Sequence, residues 1–212
     1  PPVTDGSGQD RRWLRQSAKL LTDAGCAIKD VKRVLPGGEP IVIEFLVDDP
    51  GLQPHHFPYI KNLGILGIQA SLRLVDPVQY RRRVDDFDFD IIVDRFSFSS
   101  TPGGSLRSYF SSQAANIKGS QNEAGIADPA IDAMIDHIIA ARTREEMTVA
   151  ARALDRVFRA GRYWIPHWYK PTHWLAYWDV FAWPEKKPRY GRGAPETWWA
   201  DPAKAAAVVK KG

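Results

Sequence analysis

The stretch that decides the fold is Ile60 to Phe96, IKNLGILGIQASLRLVDPVQYRRRVDDFDFDIIVDRF. It reads as helix, strand, helix, strand with almost no slack. Gly67 falls where a helix C-terminus needs a residue that tolerates positive φ. From Ile68 to Leu74 apolar and polar residues alternate, with Ile68, Ala70, Leu72 and Leu74 on one face and Gln69, Ser71 and Arg73 on the other. Asp76-Pro77 is an N-cap followed by proline at the first helical position, where the missing N–H costs nothing. The short helix it opens carries Arg81, Arg82 and Arg83. Next, Phe87, Phe89, Ile91 and Val93 line one face of a predicted strand, opposite Asp88, Asp90, Ile92 and Asp94. Two strands joined by a helical crossover imply a right-handed βαβ unit. Ligands of such sheets meet the chain just past the strand ends, so the loop after Asp94 is the first place to look for a site.

Working outward, Asp10 to Ala24 has the apolar spacing of a helix, with Trp13, Leu14, Ala18, Leu20 and Leu21 on its apolar positions and Gly25 stopping it. Ile41 to Val47 is a strand of strong β-formers, and Pro50-Gly51 turns the chain into the helix that ends near Leu66. Helices and strands therefore alternate, and the fold class is α/β or α+β with a largely covered sheet. From Ser97 to Ala127 the periodicity disappears. Ser, Gly, Asn and Gln dominate there, and Phe98, Leu106, Tyr109, Phe110 and Ile117 stand as isolated anchors. About thirty residues without a pattern is too long for an idle connector. Order returns at Asp128-Pro129, another N-cap with proline at the first helical position, followed by the apolar stripe Ile131, Ile135, Ile138 and Ile139. Thr143 and Glu146 form a capping box for a helix that should bury Met147, Ala150, Leu154, Val157 and Phe158 and end at Gly161. Seven of the eight tryptophans then fall between Trp164 and Trp199, leaving only Trp13 outside. That density demands a large apolar partner surface.

Composition excludes several classes. The chain has 212 residues, enough for a sizeable core, and no run approaches the roughly 18 apolar residues of a membrane helix. The net charge of +4 is diffuse, and Arg81–Arg83 is followed at once by Asp85, Asp86, Asp88 and Asp90. The arginines read as a solvated helix face with aspartate partners rather than a nucleic-acid surface. The single cysteine, Cys26, reads as a packing residue. The aspartate run lacks the flexible turn of a calcium loop, and His55, His56, His167 and His173 lack zinc spacing, so no metal or cofactor is expected. No GxSxG elbow, GxGxxG turn or Walker lysine is present, and the sequence carries no enzymatic signature. A binding loop remains. Arg95, Phe96, Phe98, Arg107, Tyr109 and Asn122 offer planar donors and aromatic faces, a mixture suited to a ligand with carboxylate, amide and apolar parts.

The order of motifs resembles the family 5 solute-binding proteins of ABC importers, the oligopeptide and dipeptide receptors. The matching residues are AKLLTDAGC (Ala18–Cys26), the LGI and its strand (Gly64–Leu74), Tyr80 with FDFDI (Phe87–Ile91), GSQNEAGIADPAID (Gly119–Asp132), ALDRVF (Ala153–Phe158) and IPHWY (Ile165–Tyr169). YWDVFAWP and Trp198-Trp199 look most like the branch associated with oligopeptides and microcin C. The resemblance implies a periplasmic-binding-protein-like lobe (type II, cluster C): a mixed sheet flanked by helices, with an aromatic-rich return segment. Because the family's proteins are much longer, it implies the C-terminal part of such a protein. Residues 1–9 would be a flexible leader, 10–164 the lobe, and 165–212 a segment returning towards a first lobe. The implied partners are a peptide-like solute, permease subunits at the membrane and the remaining lobes, in the periplasm and without nucleic acid. In the family's oligopeptide receptors the loop after FDFDI carries an aromatic residue, matched by Phe96. A few positions on they carry an aspartate that holds the peptide ammonium. Here that position falls at Ser99 or Ser100, which favours a modified, blocked or non-peptide ligand. Arg107 is the candidate partner for a ligand carboxylate, and a carbohydrate stacked on Trp183, Trp198 or Trp199 is the alternative solute.

Overall fold

The computed structural model describes residues 3–96, 98, 101–166, 172, 174–189, 191 and 193–209. The chain divides into two compact units, residues 1–97 with 102–163, and residues 98–101 with 164–212.

The first unit opens with α1 (Arg11–Asp23), whose N-cap Asp10 accepts a hydrogen bond from the Arg12 amide, as its position before the apolar pattern predicts. A hairpin of β1 (Ala27–Lys29) and β2 (Lys32–Val34) follows. The central piece is a βαβ unit of β3 (Val42–Val47), α2 (Gln53–Ile65) and β4 (Gln69–Leu74), with β3 and β4 parallel and Phe45 opposite Leu72. Its core is Phe45, Leu63 and Ile68, with Leu21, Ile41, Ile60 and Leu72 packed around them. Gly67 adopts φ +82°, and a Cβ there would lie 2.9 Å from the Arg33 amide nitrogen. That amide donates to the Gly67 carbonyl, so glycine is what lets the hairpin dock on the end of α2.

α3 (Pro77–Asp85) begins at Asp76, whose carboxylate accepts from the Val78 and Gln79 amides. The predicted strand over 87–94 is reduced to one parallel bridge, Ile91 to Phe45 on the side of β3 away from β4. The crossover through α3 therefore passes over β3 instead of joining neighbouring strands. Two causes are visible. Phe87 has φ +56°, which bends the chain out of extended conformation, and the Asp90 carboxylate takes the Glu44 amide at 2.8 Å. Phe87, Phe89 and Ile91 remain half-buried while Asp86, Asp88 and Asp90 are exposed, so the alternation survives without a ladder.

The aperiodic stretch holds one short helix, α4 (Ser105–Phe110), which buries Leu106 and Phe110. α5 (Pro129–Ala140) and α6 (Arg144–Gly161) pack together as a helical hairpin. Ile131, Ile135 and Ile138 are buried in it, but Ile139 faces solvent, because a four-residue stripe containing both 138 and 139 is wider than the contact with α6. The capping box of Thr143 and Glu146 forms in both directions. Cys26 is buried and free.

The second unit contains β5 (Phe181–Ala182) paired antiparallel with β6 (Trp199–Ala200), and then α7 (Pro202–Val209). Tyr177, Trp183 and Trp198 pack ring on ring, with centroids 4.7 to 5.8 Å apart. Lys204 lies over Trp183 at 5.2 Å, held by Asp179 at 2.8 Å and the Phe181 carbonyl at 2.9 Å. Part of the tryptophan cluster is thus its own partner surface. Trp174, Trp178 and Trp199 point outward.

Candidate functional site

The site is built where the parallel strands end. β3 finishes at the buried Val47 and delivers Asp48, and the Ile91 bridge delivers Asp94, Arg95 and Phe96 on its other edge. The bridge consists of two backbone bonds, Leu46 N to the Ile91 carbonyl at 2.9 Å and Ile91 N to the Glu44 carbonyl at 3.2 Å. Beyond it the Arg95 amide turns back onto the Asp94 carboxylate at 2.6 Å.

Phe96 is 42% exposed but not loose. It meets Tyr109 edge to face at 5.9 Å and Phe110 at 5.7 Å, and Phe110 in turn stacks on Phe158 of α6 at 4.7 Å. The Tyr109 hydroxyl accepts a hydrogen bond from Gln121 at 3.0 Å. One edge of Phe96 is therefore fixed by a row of rings that ends in the helical hairpin, while much of its surface stays open. Arg107 lies on the exposed side of α4 and pairs with Asp136 of α5 at 2.7 Å. A carboxylate arriving there would compete with Asp136.

Asn122 has a different task from the one its position suggested. Its side chain belongs to a residue only 1% exposed. The amide donates to the Ser111 and Ile126 carbonyls at 3.0 and 2.8 Å, and its oxygen accepts from the Ile126 amide at 2.9 Å. It organises the loop and offers nothing to a solute. Arg95 is exposed in the first unit, and Phe98, 39% exposed, belongs to the second unit. Ser99 lies outside the described residues, as do Ser100, His167 and His173.

The sequence reading missed the electrostatics of this end of the sheet. Tyr80 of α3 has its phenol pushed up to about 12, first by burial and then by the charges of Asp48, Glu123 and Asp94. Glu123 is pushed up to about 7 by burial and by Asp94 and Asp85, against the opposing pull of Arg81. Asp94, read from the pattern as one more solvated strand residue, is thus felt by both neighbours. Glu123 comes from the aperiodic loop some thirty residues downstream, and nothing local in NEAG announces it.

Comparison with known proteins fits this architecture. No family model matches the chain. It is 39% identical over 203 residues to the probable peptide-binding protein YejA of Agrobacterium fabrum, covering 95% of this chain and 33% of that protein. It is 40% identical over 199 residues to a binding protein of Brucella suis, covering 94% of this chain and 32% of the relative. Over nearly its whole length the chain is similar to these binding proteins. Among solved structures, the mannohexaose-bound periplasmic oligopeptide-binding protein of Thermotoga maritima superposes with a TM-score of 0.68 at 20% identity, over 81% of this chain and 33% of that one. At that identity the likeness speaks for the fold alone: the chain is folded like a part of a periplasmic binding protein. The chain spans about a third of the length of the relatives it matches.

Proposed function

We propose that this chain forms part of the substrate-binding component of an ABC importer, which captures a peptide-like solute and delivers it to a membrane permease. The observation that carries the reading is the exit of residues 94–96 from the carboxyl end of a parallel sheet, with the Phe96 ring pinned on one edge and open on the rest. In this reading Phe96 and Tyr109 supply an aromatic wall. Arg95 supplies a further contact and Arg107 exchanges Asp136 for a solute carboxylate, while by sequence position alone Ser99 replaces the acid that holds a peptide ammonium. The protein acts by closing around its ligand, without chemistry, in the periplasm. Residues 10–164 form one wall of the cleft, residues 165–212 return towards the rest of a longer polypeptide, and the opposite wall comes from that remainder.

The test is calorimetry on the full-length protein with tri-alanine in three forms: free, N-acetylated and C-amidated. Binding of the N-acetylated form at least as tight as the free form supports the blocked-ligand reading. Arg107→Ala should weaken the forms with a free carboxylate by about tenfold, the scale of one charge-assisted hydrogen bond, and leave the amide form unchanged. Equal affinity of wild type and variant for the free acid sinks the role given to Arg107. A second reading, a carbohydrate solute, is favoured by the outward indoles of Trp174, Trp178 and Trp199. Mannohexaose heat in the same instrument, lost in Trp199→Ala, would select it.

A further inference from the structure

We propose that Arg83 is a positioning residue for the solute site, fixing where residues 94–96 leave the sheet by tying the turn after α3 to β3. The proposal rests on the functional reading above, and it is carried by a network that the arginine run did not suggest.

A strand of ordinary length takes its register from a row of backbone bonds. Among the described residues the segment from Asp86 to Phe96 has only two such bonds to β3, both at Ile91; the Asp86, Phe87 and Asp88 amides bond back to the end of α3, and side chains add the rest. Arg81 and Arg82 are exposed, as a solvated face requires, but only 20% of the Arg83 side chain is. Its Nη1 donates to Glu44 Oε1 at 2.8 Å. Its Nε donates to Asp88 Oδ2 at 2.8 Å and to the Asp88 carbonyl at 3.0 Å. The second oxygen of Glu44 takes Arg73 from β4 at 2.7 Å, and the Glu44 amide donates to Asp90 at 2.8 Å. One guanidinium therefore joins α3, the turn and the central strand, next to a Phe87 held at a positive φ that a bulky residue rarely adopts.

Every one of these contacts lies before Ile91. Past it, Ile92 and Val93 make no backbone hydrogen bond among the described residues. The exit to Phe96 is therefore set at its start by the clamp and the two bonds at Ile91, and at its far end by the ring contacts of Phe96. Lysine could replace the charge of Arg83 but not its planar fork, which reaches two carboxylates and a carbonyl at once. Glu44 is suited to its part. Burial works to raise its carboxyl, but the hydrogen bonds from Arg73 and Arg83 outweigh that and hold it below the usual carboxylate range.

Hydrogen exchange on the full-length protein tests the clamp without any ligand. Arg83→Met should speed exchange of the Glu44, Leu46 and Ile91 amides, whose bonds hold the start of the exit, by about tenfold or more, while amides of the α5–α6 hairpin keep their wild-type rates. Arg83→Lys should recover little of the loss. Asp88→Asn, a change at an exposed carboxylate, should give the same local effect at smaller size, and it decides the matter if Arg83→Met does not fold. Tri-alanine and its N-acetyl form are then titrated into the same variants, and whichever form binds wild type should bind Arg83→Met about tenfold more weakly through faster release. Wild-type exchange at Glu44, Leu46 and Ile91 in the folded variants overturns the proposal. So does faster exchange with unchanged peptide affinity, which would leave Arg83 a structural residue only. A wild type that binds neither peptide counts against the functional reading instead, and the exchange data still report whether the clamp exists.

Discussion

The helical hairpin α5–α6 and the stretches 86–96 and 102–127 lie in the same unit and are held by opposite means. The hairpin is held by its own periodicity. Buried Ile131, Ile135 and Ile138 face a helix that buries Met147 and Leu154, and both N-termini are capped by residues the pattern requires. The other stretches have apolar anchors at Leu106, Phe110 and Ile126, but their course is set by single polar contacts. Asn122 ties Ser111 to Ile126, Asp132 takes the Ser112 amide at 2.9 Å, Gly119 donates to the Asp85 carbonyl at 3.1 Å, and Lys118 pairs with Asp86. A segment held this way keeps one conformation without committing most of its side chains to the core. Phe96, Arg107 and Tyr109 can then be presented at a surface while the backbone beneath them stays put.

The largest expected effect lies in the hairpin. Ile135→Ala removes a side chain that is almost wholly buried and should cost about 2–5 kcal/mol in urea unfolding, through lost burial and the cavity left behind. A cost under about 1 kcal/mol would mean that the hairpin is not the packed scaffold described. Next comes Asn122→Ala, which strands the buried Ile126 carbonyl and amide, takes one of two donors from the Ser111 carbonyl, and should cost about 1–3 kcal/mol. Asn122→Asp should be no better, since a carboxylate cannot donate to Ser111 and Ile126. A neutral Asn122→Ala would break the comparison itself, because the loop would then be held by its apolar anchors like any other.

What the sequence showed, and what it hid, divides along the same line. Caps at Asp10, Asp76, Asp128 and Thr143 and glycine stops at Gly25 and Gly67 are local events, and each was readable from a few adjacent residues. The hairpin β1–β2 was not. Its turn residues Asp30 and Val31 both have positive φ, a conformation normally announced by Asn-Gly or Asp-Gly and here adopted by a β-branched residue. The strand over 87–94 was overstated because alternation counts faces, not ladder partners. Arg83 read as solvated, since its partner Glu44 lies thirty-nine positions away and no local pattern links them. For the same reason Asn122 was taken for a ligand contact: polarity in a loop does not say whether a side chain serves the backbone or the solvent. The family resemblance supplied the fold, and the three-dimensional contacts set the buried Asn122 apart from the exposed Phe96.

The smallest expected effect is a matter of sign. Glu123 sits in the aperiodic stretch with its carboxyl pushed up to about 7, by burial first and by Asp94 and Asp85 after it. Its folded value lies above the ordinary 4.5, so the folded state binds this proton more tightly than the unfolded chain does. The corresponding stability is fully present below the unfolded value and is lost as pH rises through about 7. Glu44 runs the other way: its paired carboxyl is held low, and its contribution disappears only as the solution becomes acidic. Glu123→Gln keeps the shape and removes the titration. Relative to wild type, the variant should gain stability as pH rises from 5 to about 8, with the gain levelling off above the folded value. Unfolding midpoints in urea across that range test it. A difference between variant and wild type that stays constant with pH would show that Glu123 is already charged and solvated.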